Sequence, residues 1–276
     1  MGKRIGPLLV NILQIVELLM MCILVIVVCG DLFTLCLDGF DRRIWMTVTS
    51  VILLPTFTSL RYSLYLDIVF LLWNIGIHLN YPAHIFLPLL EGSMVHNWKF
   101  GKVLKLTYAA SISVNVLFSF IFYLTFGHQT ENIFVTNLPT ELFKLGISLA
   151  LIFKAICSYH LPFHTLTSML ECIFFKVNNV ESKRKKYCLQ FILYLITVLC
   201  AVLIPHYTLF MGFISSITGI LLSFVLPSYF HIKLRWKKIN FATILFDVTI
   251  ISVTMFCGGI GVYMAWDSLS TIYSEN

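Results

Sequence analysis

The chain has 276 residues, of which 59% are hydrophobic and 12% are charged, against roughly 25% charged in soluble globular domains. That balance excludes a soluble enzyme, and the formal net charge of +6 does not point to nucleic acid. The Lys and Arg residues gather in short clusters between apolar runs, chiefly "ESKRKK" at 181–186 and "KLRWKK" at 233–238, the pattern of cytoplasmic loops in membrane proteins.

In chain order, the first apolar run extends from Ile5 to Gly30 with a single charge, Glu17. It is longer than a signal-peptide core and reads as a retained helix at 8–30. Further spans are expected at 44–60, 64–78, 104–126, 142–160, 187–204, 207–229 and 241–266. Most approach or exceed the ~20 residues that cross a bilayer. In hydrocarbon the backbone must satisfy its own hydrogen bonds, so such runs are helices. The fold class is an all-α polytopic membrane protein with about 7–8 transmembrane helices, read as one domain over 1–276.

One stretch resists counting. "HLNYPAHIFLPLLEGSM" at 78–94 interrupts the apolar segment 64–90. Two crossings there need roughly 34–40 apolar residues plus a turn, and only 15 and then 9 are present. With two crossings, Lys3, Arg4, Arg61, Lys99, Lys102, Lys105, Lys176, the 183–186 cluster and the 233–238 cluster lie inside. Only Arg42 and Arg43 then lie outside, and the N-terminus is cytoplasmic. With one crossing, the first two helices turn over and Lys3, Arg4 and Arg61 move out while Arg42 and Arg43 move in. The positive-inside rule scores the two alike.

Several polar residues stand inside the spans. Glu17 follows Gln14 by three residues, and Gln14 follows Asn11 by three, making a polar band along one side of the first helix. A carboxylate at that depth costs at least ~2.5–3.5 kcal/mol, so it faces a partner or a water-filled cavity. Lys154 has Ser158 one turn on, at i+4, with Tyr159 beside it. Its ammonium either lines a cavity, snorkels to the interface, or pairs with an acid such as Glu17. Asp247, near the start of the last helix, reads as a partner for the helix dipole. His206 reads as a polar turn residue, the alternative reading being a sensor of lumenal acidity. Ser111, Asn115 and Ser119 form a stripe suited to helix packing. The eight cysteines form no CxxC pair and read as small hydrophobes of helix contacts. No Walker loop, HExxH or GxSxG motif is present, and neither a metal nor a cofactor is expected.

The second half carries longer signatures. "FKAICSYHLPFHTLTSMLE" (153–171), "IPHYTLFMGFISSITGILLSFVLPSYFHIKLRW" (204–236) and "ILFDVTIISVTMFCGGIGVYMAWDSLSTIY" (244–273) resemble the amino acid/auxin permease family. So do "NILQIVELLMMCILVIVVCGDL" (11–32), "TENIFVTNLPTEL" (130–142) and "IFLPLLEGSM" (85–94). Within it the likeness is greatest to the carriers that load GABA and glycine into vesicles.

The resemblance implies a LeuT-like bundle, incomplete here: residue 8 would begin the family's third helix, and 78–94 would be a shortened sixth. It implies proton-gradient-coupled transport of small neutral amino acids into intracellular vesicles, the plasma membrane being the other candidate. In such carriers substrate sits near the midplane against broken helices. Glu17, Gln14, Lys154, Ser158, Tyr159 and Tyr81 are accordingly the expected substrate and proton path. The expected partners are the amino acid, protons and the bilayer, with no nucleic acid and no enzymatic role. A chain of transporter descent that serves a full-length carrier without transporting alone is the rival reading. A seven-span receptor is a third, supported by helix number only.

Overall fold

The computed structural model describes residues 5–37, 39–54, 100–127, 140–174, 182–204, 207–235 and 240–275. Those residues are organised as helices: α1 (Ile5–Cys36), α2 (Arg42–Leu53), α3 (Phe100–Phe126), α4 (Glu141–Ser158), α5 (His160–Phe174), α6 (Ser182–Leu203), α7 (Tyr207–Ile220), a π turn (Leu221–Val225), α8 (Leu226–Arg235) and α9 (Phe241–Glu275). Among the described residues six stretches are long and apolar enough to cross a membrane. They are Gly6–Cys36, Phe100–Thr125, Glu141–Phe174, Lys185–Leu203, Leu209–Arg235 and Phe241–Thr271. The protein is a multi-pass, all-α membrane protein. The expected span 64–78 and the 78–94 interruption lie outside the described residues, as does the end of 44–60.

α1 is the axle of the bundle. It packs against α2, α4, α5, α6, α7 and the π turn. Leu18, Cys22, Ile26, Val27 and Cys29 are all fully buried, and they point in several directions around the helix. A helix apolar on every side is the one that takes the centre. Met46 of α2, Phe163 and Leu166 of α5, Leu193 and Tyr194 of α6, and Tyr207 of α7 complete the core around it. α3 differs: Leu106, Val116, Phe120 and Leu124 are exposed, which suits a lipid-facing helix. Its polar stripe is no single buried seam, since Ser111 is buried, Asn115 half-buried and Ser119 exposed.

Each helix interruption traces to a proline or a helix end. The span expected at 142–160 continues to Phe174, correcting the boundary drawn from sequence. Pro162 lies in the first turn of α5, where a missing N–H is tolerated, so the helix bends at Tyr159 and resumes. Pro227 has no N–H for the carbonyl of Ser223 and its ring crowds that carbonyl. The ladder answers by widening to i→i+5, with Leu226 N–H donating to the carbonyl of Leu221. At the end of α2, Leu54 N–H donates to the carbonyl of Val51. The Ser50 carbonyl is thereby left over, and the buried Tyr194 hydroxyl of α6 donates to it.

The relative direction of α1 is settled by its start. A Cβ built on Gly6 would stand 3.9 Å from the ring of Phe230, in the middle of α8 and in the C-terminal part of the Leu209–Arg235 span. α1 therefore begins on the face where α8 ends in Lys233 and Arg235. This agrees with the arrangement that puts the N-terminus beside the basic clusters and rules against turning the first two helices over.

α9 reaches α7 through glycines. A Cβ on Gly258 would fall 2.3 Å from Ile220 Cδ1, and one on Gly261 would lie 3.2 Å from Ser216 Oγ, whereas Gly259 has nothing within 4 Å. Small residues of this kind let membrane helices approach closely. Gly258→Leu is expected to destabilise the bundle by about 1–3 kcal/mol through overpacking, read as a lowered unfolding midpoint in detergent. Gly259→Leu is expected to leave that midpoint in place.

Candidate functional site

Eleven residues after Gly6, and so on nearly the same face of α1, stands Glu17. At 1.5 Å per residue it is about 16 Å deeper into the bundle. The side chain is buried, with the residue only 4% exposed. A Cβ on Gly219 of α7 would lie 3.9 Å from its Oε1, so the carboxyl faces a stretch of bare helix backbone. Its Oε2 has no hydrogen-bond partner among the described residues. The π turn begins two residues after Gly219. A buried acid therefore abuts the one widened place in the α7–α8 span. Gln14, one turn earlier, is half-buried, as is Asn11.

Lys154 lies on α4, the helix that packs most extensively on α1. It is buried at 8% exposure, and no ion pair joins it to Glu17 or to any other acid among the described residues. The pairing of Lys154 with Glu17, one reading open from sequence, is thus not the one adopted. Ser158 donates its hydroxyl to the Lys154 carbonyl at 3.0 Å, in the turn that Pro162 disrupts.

Tyr159 closes that turn. It is fully buried, its ring stacks on Phe163 with centroids 5.4 Å apart, and its hydroxyl meets Thr197 Oγ1 of α6 at 3.2 Å. Thr197 itself donates to the Tyr194 carbonyl at 2.7 Å, which leaves Tyr159 as the donor to Thr197. Tyr159 thus holds the bend that carries Lys154 and Ser158. Tyr81, His84 and His206 lie outside the described residues.

Two features were not foreseen from the sequence. Asp247, expected to serve the dipole of the last helix, lies in the second turn of α9 and is held by His231 of α8, Nδ1 to Oδ2 at 2.6 Å. A side-chain partner, not the helix terminus, explains it. The π turn beside Glu17 was the other, although Pro227 within an apolar run was its available signal. Buried Gln190 of α6 and Ser148 of α4 also have a polar oxygen without a partner among the described residues.

A family model described as "transmembrane amino acid transporter protein" matches residues 80–267. The chain belongs to this family. It is 29% identical to the vesicular inhibitory amino acid transporter of Mus musculus, over 99% of this chain and 61% of that protein. It is 28% identical to the vesicular GABA transporter of Caenorhabditis elegans, over 86% of this chain and 59% of that protein. With amino acid transporter AVT3C of Arabidopsis thaliana the identity is 28%, over 67% of this chain and 40% of that protein. The chain thus spans about three fifths of the length of its vesicular relatives. The mouse comparison runs over 323 positions against 276 residues here, so the relative carries stretches with no counterpart in this chain. No solved structure matches the chain.

Tyr159→Phe removes the donor to Thr197. Because interhelical hydrogen bonds in membranes average about 0.6 kcal/mol and reach about 1.7, its unfolding free energy is expected to decrease by an amount within that range. Unfolding by denaturant in mixed micelles measures it.

Proposed function

We infer that the protein moves small neutral amino acids of the GABA and glycine type across a vesicle membrane, driven by a proton gradient. The observation that carries the reading is the Glu17 carboxyl facing Gly219 beside the π turn, its Oε2 without a partner among the described residues, in a chain similar along nearly its whole length to vesicular inhibitory amino acid transporters. An ionisable side chain inside a membrane bundle faces a partner, a substrate or a water path. Glu17 Oε2 has no hydrogen-bond partner among the described residues.

In this reading Glu17 takes up and gives back the coupling proton, with Gln14 extending its polar surface. Lys154, held by Ser158 and Tyr159 at the bend, attracts the substrate carboxylate. Tyr81 completes the substrate side. The bend at Tyr159 and the π turn are the places where helices α4–α5 and α7–α8 have fewest ladder bonds to break. They are the hinges of an alternating-access movement around α1.

Uptake of labelled GABA, glycine and proline into acidified proteoliposomes tests the reading. Glu17→Gln is expected to abolish proton-driven uptake while leaving counterflow exchange of labelled for unlabelled substrate. Lys154→Met is expected to raise the apparent KM by about 10- to 100-fold, the effect of losing a charge-assisted hydrogen bond worth about 1.5–3 kcal/mol. A wild-type chain that is folded but takes up none of the three overturns autonomous transport and favours a role alongside a full-length carrier.

A further inference from the structure

We propose that the backbone carbonyl of Leu222 is the hydrogen-bond acceptor for protonated Glu17, so that the π turn is held to α1 while the carboxyl carries its proton and released when it does not. The proposal rests on the reading of Glu17 as the proton-coupling group and names the partner that responds to its state. Two unpaired oxygens carry it. In a regular helix the Leu222 carbonyl accepts from residue 226, and in a widened one from residue 227. Here Leu226 N–H donates to Leu221, and residue 227 is a proline, which has no N–H. The ladder thus passes over Leu222, which is buried, at a depth where lipid offers no water in its place. The second oxygen is Oε2 of the buried Glu17, which also lacks a partner among the described residues.

The helices bring these two oxygens to one contact. Glu17 Oε1 lies 3.9 Å from where a Cβ on Gly219 would stand. Leu222 follows Gly219 by three residues, about 4.5 Å along the axis and about 60° around it, and α1 packs against the π turn itself. Helical side chains lean toward the start of their own helix. The Glu17 carboxyl therefore leans toward the basic face, the direction in which α7 leads into the π turn. A carboxylate and a carbonyl are both acceptors, and facing each other without a donor they repel. A proton on Oε2 makes the carboxyl a donor and satisfies both oxygens at once. When that proton returns to water the attraction is lost, at the place where the α7–α8 ladder is already weakest. Pro227 is a positioning residue in this arrangement, since it acts on Glu17 only through the carbonyl it leaves free.

Among the described residues no charged group on the elements packed against α1 pairs with Glu17. α7 and the π turn hold no Asp, Glu, His, Lys or Arg. On α4, Lys144 engages Glu141, and Lys154 makes no ion pair. Glu171 of α5 engages Lys186 of α6, while His160 and His164 of α5 enter no ion pair. α6 starts with Lys183, Arg184 and Lys185 at the basic face. On α2, Arg42 engages Asp31 and Arg43 is exposed.

The test is infrared difference spectroscopy, between acid and alkaline buffer, of the 276-residue chain in lipid vesicles. The wild type is expected to show a protonated-carboxyl band that vanishes in Glu17→Gln and lies at the lowered frequency of a hydrogen-bonded carboxyl. Pro227→Ala restores an N–H to the ladder and so gives the Leu222 carbonyl a donor. In that variant the Glu17 band is expected to move to the higher frequency of a carboxyl without a hydrogen bond. Pro162→Ala, at the other bend, is expected to leave the band in place. A Glu17 band unmoved in Pro227→Ala, or moved equally in Pro162→Ala, overturns the proposal and leaves Glu17 as the coupling group. Absence of any band dependent on Glu17 overturns the reading of Glu17 itself. Alanine is the better helix former and Pro227 is exposed, so the backbone and the packing both tolerate the change. Pro227→Leu supplies the same N–H and decides the matter if Pro227→Ala does not fold.

Discussion

Inside a bilayer no water is at hand to pair with a freed peptide group, and every departure from a regular helix must find its own hydrogen bonds. The described structure departs in three places, each with a visible remedy. Pro162 falls in the first turn of α5, where its missing donor is one of the groups a helix start leaves free. Pro227 is absorbed by a π turn, in which Leu226 N–H reaches the carbonyl of Leu221. The orphan carbonyl of Ser50 at the end of α2 receives the Tyr194 hydroxyl. Tyr207 adds a fourth tie, donating to the Met20 carbonyl of α1 at 2.7 Å.

These remedies also position the candidate site residues. The Pro162 bend presents Lys154 and Ser158, with Tyr159 pinned to Thr197 behind them. The π turn lies next to the Gly219 backbone that Glu17 faces. Glycines on α9 allow a third helix to close in on α7 at the neighbouring Ser216 and Ile220. The polar groups of the candidate site thus lie beside irregular backbone, at Tyr159 and at the π turn, the kind of setting in which transporters place substrate sites.

Much of this was legible in advance. The apolar runs named the spans because hydrocarbon admits little else, and Glu17 and Lys154 stood out because charge inside such runs is costly. The family resemblance rested on long specific stretches that the family model and relatives bear out. Asp247 was misread because its partner lies sixteen residues away on another helix, and His231 drew no attention in a basic cluster. The extension of the fourth-helix span to Phe174 was missed because a proline inside an apolar run reads equally as an end or as a bend.

Sequence alone determined that the chain is a helical membrane protein, where its apolar helices run, and which ionisable groups are anomalous. Those follow from composition and local periodicity, which require no knowledge of neighbours. Which way α1 runs, that Lys154 and Glu17 do not pair, that Glu17 meets Gly219, and that His231 meets Asp247 were decided only by tertiary structure. Each depends on which helix face turns toward which other helix, and in a bilayer, where lipid and core are equally apolar, hydrophobic pattern does not distinguish those faces.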